Sequence, residues 1–204
     1  MDKYKKYILK KYSVQAKLFD NSEYSKFSKQ IYPYVLKELA NIQYSNILDV
    51  GCGTGNLLLK VIEKNKKTNI YGIDMSPDML DIAKIKMKYT NATLIEADAE
   101  NLPFADDFFD VVICIESFHN YSNKEKALLE IKRVLKNNGR FIICDNITPN
   151  IIRQIINIYR KFKDKNRLKK YSKNEILNLI KKMNFRNINF QMIGKNIYMC
   201  VGTK

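Results

Sequence analysis

No run of about 18 apolar residues occurs in the 204-residue chain, so a membrane-spanning helix is not expected. The opening Met1-Asp2-Lys3-Tyr4-Lys5-Lys6 lacks the apolar run and small-residue cleavage site of a signal peptide. Cysteine is scarce and scattered: Cys52, Cys114, Cys144 and Cys200 form no Cys-x-x-Cys pair, which argues against zinc and redox motifs. No metal site is expected, and buried reduced thiols in a cytoplasmic protein are the simplest account. The phosphate-cradling pattern Gly-x-x-x-x-Gly-Lys-Ser/Thr is missing, which excludes a P-loop. There is no internal repeat, and His119 is the sole histidine.

What is present starts at Ile47-Leu48-Asp49-Val50-Gly51-Cys52-Gly53-Thr54-Gly55-Asn56. An apolar strand ends in a carboxylate, breaks into a glycine-rich turn and opens a helix. Glycine lets a ligand approach the main chain and tolerates positive φ, and the helix start offers unpaired N–H groups beside the turn. The dinucleotide fingerprint Gly-x-Gly-x-x-Gly fails, because Asn56 stands where its third glycine would fall. A tight turn serving only packing is the plainer reading, and the residues downstream weigh against it.

Two more apparent strands end in acids. Asn69-Ile70-Tyr71-Gly72-Ile73-Asp74 puts a carboxylate 23 residues beyond Gly51, suited to ribose hydroxyls. This spacing serves NAD equally well, and Asp74 can also be read as a residue that opens the next helix. Ser76-Pro77 follow as N-cap and first helical position. The segment Ala92 to Phe104 offers Asp98 as acceptor for an exocyclic amine and the Ala99 N–H as donor to an adenine ring nitrogen. Asp110-Val111-Val112-Ile113-Cys114-Ile115 reads as a fourth buried strand.

With these residues in place, the chain resembles the class I S-adenosylmethionine-dependent methyltransferases, close to the ubiquinone/menaquinone-biosynthesis C-methyltransferases. Residues 47–145 carry the likeness: Leu-Asp-Val-Gly-Cys-Gly-Thr-Gly, Gly-Ile-Asp-Met-Ser-Pro-Asp-Met-Leu, Ala-Asp-Ala-Glu-Asn-Leu-Pro-Phe, Phe-Asp-Val-Val, and Glu130 to Arg140 before the fifth strand. The resemblance implies an α/β fold, a Rossmann-like doubly wound, mostly parallel seven-stranded sheet with an antiparallel C-terminal edge hairpin. It implies S-adenosyl-L-methionine as cofactor and S-adenosyl-L-homocysteine as product. Asp49, Gly51, Gly53 and Gly55 would hold the methionine part, Asp74 the ribose, and Met75 would pack on adenine or simply join the core. Asp98 and Ala99 would read the adenine edge, and Ile115 and Glu116 would close the methionine end.

One departure falls at Ser117-Phe118-His119-Asn120, where many relatives carry two successive histidines and this chain has Asn120 second. His119 is the candidate catalytic base, with local orientation of the loop as the plainer role. Methyl transfer from a sulfonium needs alignment more than a base, because positioning alone supplies roughly 7–11 kcal/mol. Candidate substrate contacts are Tyr12, Phe19 and Tyr121, with ordinary packing as the alternative for Phe19 and Tyr121. The acceptor atom cannot be read.

Periodicity and punctuation predict a helix over 31–41, then alternating strands and helices at 46–50, 56–64, 69–74, 77–88, 92–96, 110–115, 123–135 and 139–145. Ser122-Asn123-Lys124-Glu125 and Ser172-Lys173-Asn174-Glu175 read as capping boxes, the second opening a helix to about Met183. Strands at 187–193 and 197–202 form a hairpin across Gly194-Lys195-Asn196. The expected organisation is one methyltransferase domain, 1–204. It comprises an N-terminal substrate cover (1–45), a cofactor core (46–145), a basic helical cover (149–171) and a last helix with the hairpin (172–204).

Charge is uneven. Residues 1–30 carry net +5, 31–148 net −2, 149–186 net +10 and the last eighteen +2. Within the second basic block, apolar residues 151, 152, 155, 156, 159 and 162 mark one face of a helix, followed by a charged connector over 163–171. Three readings stay open. The lysines reflect AT-biased composition, draw in an anionic small-molecule substrate, or meet nucleic acid or a membrane surface. Sparse arginine and the lack of a base-methylating motif after strand four weigh against RNA. The expected activity is methyl transfer to a small-molecule acceptor. The alternatives are an RNA or protein methyltransferase docking through the basic cover, or a non-catalytic S-adenosylmethionine-binding module. Oligomeric state is not legible.

Overall fold

A computed structural model describes residues 2–163 and 168–204. The chain begins with α1 (Lys3–Gln15), a 3-10 turn (Ala16–Asn21) and α2 (Glu23–Leu39). Asp2 caps α1 by accepting from the Lys5 N–H, and Ser22 caps α2 by accepting from the Ser25 N–H. The sequence predicted only a helix over 31–41. The reason is physical: α1 buries none of its residues, and the apolar stripe of α2 starts late, at Ile31, Val35 and Leu39. Pro33 sits inside α2, where its fixed φ is tolerated at the loss of one backbone hydrogen bond.

The rest alternates. In chain order come β1 (Asn46–Val50), α3 (Asn56–Lys64), β2 (Asn69–Asp74), α4 (Pro77–Lys86), β3 (Thr93–Glu96) and β4 (Phe109–Ile115). Then follow α5 (Lys124–Val134), β5 (Leu135–Asn146), α6 (Asn150–Lys163), α7 (Lys173–Lys182), β6 (Arg186–Gly194) and β7 (Ile197–Thr203). They build one seven-stranded sheet of order β3-β2-β1-β4-β5-β7-β6. The first five strands are parallel, and β7 runs antiparallel to β5 and β6. The expected α/β architecture with its C-terminal edge hairpin is therefore present.

Strand periodicity sorts the core into two layers. Leu48, Val50, Val112, Cys114, Phe141 and Ile143 pack with α5 and α7 on one face. Ile47, Val111, Ile113, Ile142 and Cys144 pack with α2 and α3 on the other. All four cysteines are buried free thiols. No helix among the described residues is long and apolar enough to cross a membrane.

Chain direction across the sheet reverses at β1, which lies between β2 and β4. In such sheets the crevice at the carboxyl ends beside this switch is where ligands bind. The glycine turn after β1 and the residues after β4 open onto that crevice.

Three further sequence expectations need correction. Ser122 does not cap α5; Asn123 does, accepting from the Lys126 N–H, while Glu125 reaches across to Lys182 at 2.9 Å. The box at Ser172 is formed. β5 starts at Leu135 rather than 139, because Leu135 already pairs with Phe109 before a bulge that brings Arg140 beside Val111. On α6, Ile158 replaces Ile156 in the apolar stripe, and the stripe faces solvent. Part of the charged connector, Asp164 to Arg167, lies outside the described residues.

Candidate functional site

A cavity of about 600 Å³ occupies the switch-point crevice, within the size range of small-molecule sites. Asp49, Gly51, Gly53, Asp74, Met75, Asp98, Ala99, Ile115, Glu116, His119, Tyr12, Phe19 and Tyr121 all line it. Residues spread over more than a hundred positions are thus brought to one wall-to-wall space. Gly55 is the exception among the named residues. It is the N-cap of α3 at φ +77, and a Cβ there would meet Met87 Sδ at 3.2 Å and Ala83 Cβ at 3.3 Å. Its lack of a side chain lets α4 pack against the turn.

The other two turn glycines differ in their surroundings. Gly51 has φ +82, and a Cβ would stand 2.5 Å from Ser117 Cβ, so the turn is pressed against the loop after β4. Ser117 Oγ donates to Val50 O at 2.7 Å and Tyr121 Oη to the same carbonyl at 2.9 Å, which latches the two loops together. Tyr121 is therefore engaged in holding the glycine turn while one side of it lines the cavity. Gly53, at φ +54, has open space where its Cβ would lie. That vacant cradle faces the cavity.

The strand-end acids are arranged around the cradle. Asp74 Oδ2 accepts from the Gly53 N–H at 2.9 Å and Oδ1 from the Ser76 N–H at 2.9 Å, so the carboxylate ties the turn to the start of α4. Each oxygen keeps accepting capacity. Burial raises the Asp74 pKa, and the backbone donors work against that rise. Asp49 is buried, with Oδ1 lacking a hydrogen-bond partner among the described residues. Burial, with the Asp74 charge adding, pushes its pKa up to about 7. An orphaned buried carboxylate oxygen, a cradle without a Cβ and a ribose-type acid fit a nucleoside cofactor with a cationic group at its far end.

Asp98 lines the cavity and is also engaged within the chain. Its Oδ2 is bound by Lys5 Nζ at 2.6 Å, and the same ammonium lies 2.6 Å from Glu100 Oε2. Burial opposes the Lys5 charge, but the hydrogen bonds and charges of the two acids outweigh it and raise its pKa. The sequence reading missed Lys5, which a lysine-rich helix gives no means of singling out. Asp20 was missed too: it accepts from Thr54 Oγ1 at 2.6 Å and Asn56 Nδ2 at 2.8 Å, fastening the N-terminal segment to the glycine turn. Tyr12, with Asn120 Nδ2 donating to its hydroxyl at 3.1 Å, and Phe19 complete that side of the cavity. Their rings meet edge to face at 6.4 Å.

Beyond β4 the chain carries backbone strain. Glu116 adopts φ +51, a conformation uncommon for a side-chain-bearing residue and concentrated at functional sites. Its N–H still donates to Cys144 O at 2.9 Å. The turn delivers His119 to Asp145 on the neighbouring strand β5. Asp145 Oδ1 lies 2.8 Å from His119 Nδ1, and Oδ2 accepts from the His119 N–H at 2.7 Å. Burial works against the Asp145 charge, yet His119 and the amide donors hold its pKa below the usual carboxylate range. An ionised carboxylate only accepts, so Nδ1 carries the proton and Nε2 is left as the acceptor. Glu116 is the opposite case: burial, then the Asp145 charge, push it up to about 9, so it is a neutral acid at pH 7. Glu116, His119 and Asp145 bring ligand-type atoms within 4.8 Å of one another. Both Asp145 oxygens already serve His119, and Oδ1 also takes the Asn146 N–H at 2.7 Å, so the arrangement is that of an oriented imidazole.

The sequence matches the methyltransferase-domain family over residues 43–198. Demethylmenaquinone methyltransferase of Thermotoga maritima is 32% identical over 152 residues, covering 74% of this chain and 64% of the relative. The chain spans about half to two-thirds of the length of the curated relatives it matches. A SAM-dependent methyltransferase from Aquifex aeolicus superposes with TM-score 0.73 at 22% identity, over 94% of this chain and 97% of that one. The [4+2]-cyclase SpnF superposes with TM-score 0.80 at 16% identity, over 97% and 94%, a likeness of fold alone. With residues 43–198 enclosing the glycine turn, all three strand-end acids and the His119–Asp145 pair, the chain belongs to the methyltransferase-domain family of class I, S-adenosylmethionine-dependent fold.

Proposed function

We propose that the protein transfers a methyl group from S-adenosylmethionine to a small-molecule acceptor of the quinone type that the Thermotoga maritima relative's name indicates, taken in its reduced, quinol form so that a ring position or hydroxyl can act as nucleophile. The observation that carries the proposal is one cavity holding both the nucleoside cradle and an imidazole oriented by a buried carboxylate.

When bound, the cofactor supplies a methyl group on a positively charged sulfur, an electrophile that needs no further activation. Asp74 would take the ribose hydroxyls, Asp49 would place its unsatisfied charge toward the methionine end, and Gly53 would let the ligand reach the main chain. Met75 and Ala99 would bracket the base. Lys5 holds Asp98 in place beneath them. Residues 1–45 act as a cover: Lys5 and Asp20 fasten them to the cofactor loops, and Tyr12 and Phe19 exclude water.

His119 Nε2 accepts the proton that the acceptor's hydroxyl or ring position releases, and Asp145 stabilises the imidazolium so formed. Neutral Glu116 leaves Asp145 as the one charged carboxylate beside the ring. Tyr121 positions the glycine turn from behind.

Calorimetry with S-adenosylmethionine and S-adenosylhomocysteine, with NAD and NADP as controls, tests the cofactor. Micromolar affinity for the sulfur nucleosides alone is expected, and no binding to folded protein overturns the proposal. A radiolabelled methyl donor with naphthoquinols then tests the acceptor.

A further inference from the structure

Helix α6 is amphipathic in the wrong sense for a soluble protein. Ile151, Ile152, Ile155, Ile158, Tyr159 and Phe162 are each 52–75% exposed. They fall at i, i+1, i+4, i+7, i+8 and i+11, a continuous stripe along one side of the helix. The polar side is the one turned to the body. Arg153 pairs with Glu175 at 3.4 Å, and Asn157 exchanges two 2.8 Å hydrogen bonds with the Lys170 backbone. Arg160 donates to Leu168 O. These contacts set the helix's rotation, and they leave the apolar stripe exposed, with Phe162 meeting its helix neighbour Lys161, whose Nζ lies 5.7 Å from the ring centroid. Contiguous apolar surface of this kind marks a site of contact with something else.

Two occupants compete. A second copy of the chain would bring two segments of net +10 together, residues 149–186 of each. A 14-residue helix is also only about 21 Å long, and one of its faces falls well short of the roughly 800 Å² per partner of a stable dimer. An anionic lipid surface satisfies both features at once. The stripe enters the boundary between headgroups and acyl chains, and exposed Lys161 meets the phosphates, while Lys169, held 2.6 Å from Glu175, adds to the positive charge of the segment. The helix is also well placed for such a role, since Thr148, Pro149 and Ile152 line the mouth of the cofactor cavity.

We propose that α6 docks the protein on an anionic bilayer with its Ile151–Phe162 stripe inserted, turning the mouth of the cavity toward the lipid. The docking stands on the helix alone. That an amphiphilic acceptor enters from the bilayer rests on the methyl transfer proposed above.

The test is sedimentation of the full chain with vesicles of phosphatidylcholine alone or with phosphatidylglycerol added. Binding at least tenfold tighter to the anionic vesicles is expected, with the triple variant Ile155→Ser/Ile158→Ser/Phe162→Ser losing at least tenfold. These side chains are exposed, so the variant keeps its thermal midpoint and its S-adenosylhomocysteine affinity. Because the chain has no tryptophan, Tyr159→Trp adds a single emission probe that should shift to the blue on anionic vesicles. Absence of wild-type binding, equal binding by the triple variant, or an unshifted probe overturns the proposal. So does a wild-type dimer that the triple variant dissolves, which would make a second copy the occupant. Failure of the nucleosides to bind would sink the proposed activity while leaving the vesicle result standing, so the two fail separately.

Discussion

His119 and Asp145 are joined twice, ring to carboxylate at 2.8 Å and amide to carboxylate at 2.7 Å. The sheet makes this possible: Ile115 and Cys144 are paired in register, so the residues that follow them leave β4 and β5 side by side. One carboxylate therefore fixes both where the imidazole sits and which nitrogen is free. Asp145→Asn should lower methyl transfer by about 10²–10⁴-fold, the usual worth of a positioned base, through loss of the correct tautomer. His119→Gln should do the same. In both variants S-adenosylhomocysteine affinity, read by calorimetry, should stay at the wild-type value; a matching loss of affinity would assign the pair to cofactor binding.

The Glu116 carboxyl should make stability fall with pH. Its folded pKa is pushed up to about 9 from an ordinary value of 4.5. Between these values the unfolded chain has released a proton that the folded chain keeps, so raising the pH favours unfolding. Asp145, whose pKa is lowered, acts in the opposite sense and only in acid, below about pH 4. In thermal melts from pH 5 to 9, Glu116→Gln should therefore gain on wild type progressively with pH. A constant gap across that range would refute the assignment.

Gly51 and Gly53 should fail differently. Gly51→Ala drives a methyl into Ser117 at positive φ and should lower the thermal midpoint by several degrees, since left-handed strain alone costs about 1–3 kcal/mol. Gly53→Ala carries the same backbone strain but meets no atom within 4 Å. It should be the milder variant in a melt and still lose most S-adenosylhomocysteine affinity, because its methyl occupies the cradle. Equal melts for the two would contradict the contact at Ser117.

Lys5→Met should free the N-terminal helix. α1 has no buried residue, and the Lys5 ammonium is its tie to Asp98 and Glu100 near the cavity. Hydrogen exchange over residues 3–15 should quicken while β1 and β4 keep their protection. Unchanged exchange in α1 would show that other contacts hold the cover.

Where local chemistry and the long-range fold agree, the sequence was enough to read the molecule. The strands β1, β2 and β4 are apolar runs because helices cover both sheet faces, and each carries an acid or glycine at or next to its carboxyl end, where the run breaks off. Asp49, Gly51, Gly53 and Asp74 were legible for that reason. α1 was not, since what holds it are polar contacts with residues distant in sequence, the Lys5 ion pairs with Asp98 and Glu100 and the Tyr12–Asn120 hydrogen bond. Asp20 and Asp145 were likewise invisible as single carboxylates, and the Ser122 box failed because Asn123 was the better-placed cap.

From its residues alone this chain had alternating strands and helices, a C-terminal hairpin, and a glycine turn with strand-end acids. These follow from patterns of period 2 and 3.6 and from the φ requirements of turns, which are local. Register and rotation needed the three-dimensional structure. The β4–β5 pairing put Asp145 under His119, and Glu116 is kept neutral by its burial first and by that same neighbour second. The rotation of α6, set by Arg153 and Asn157 gripping the body, turned its apolar stripe outward. Periodicity can say that a helix has an apolar face, but only the contacts around the helix decide which way that face points.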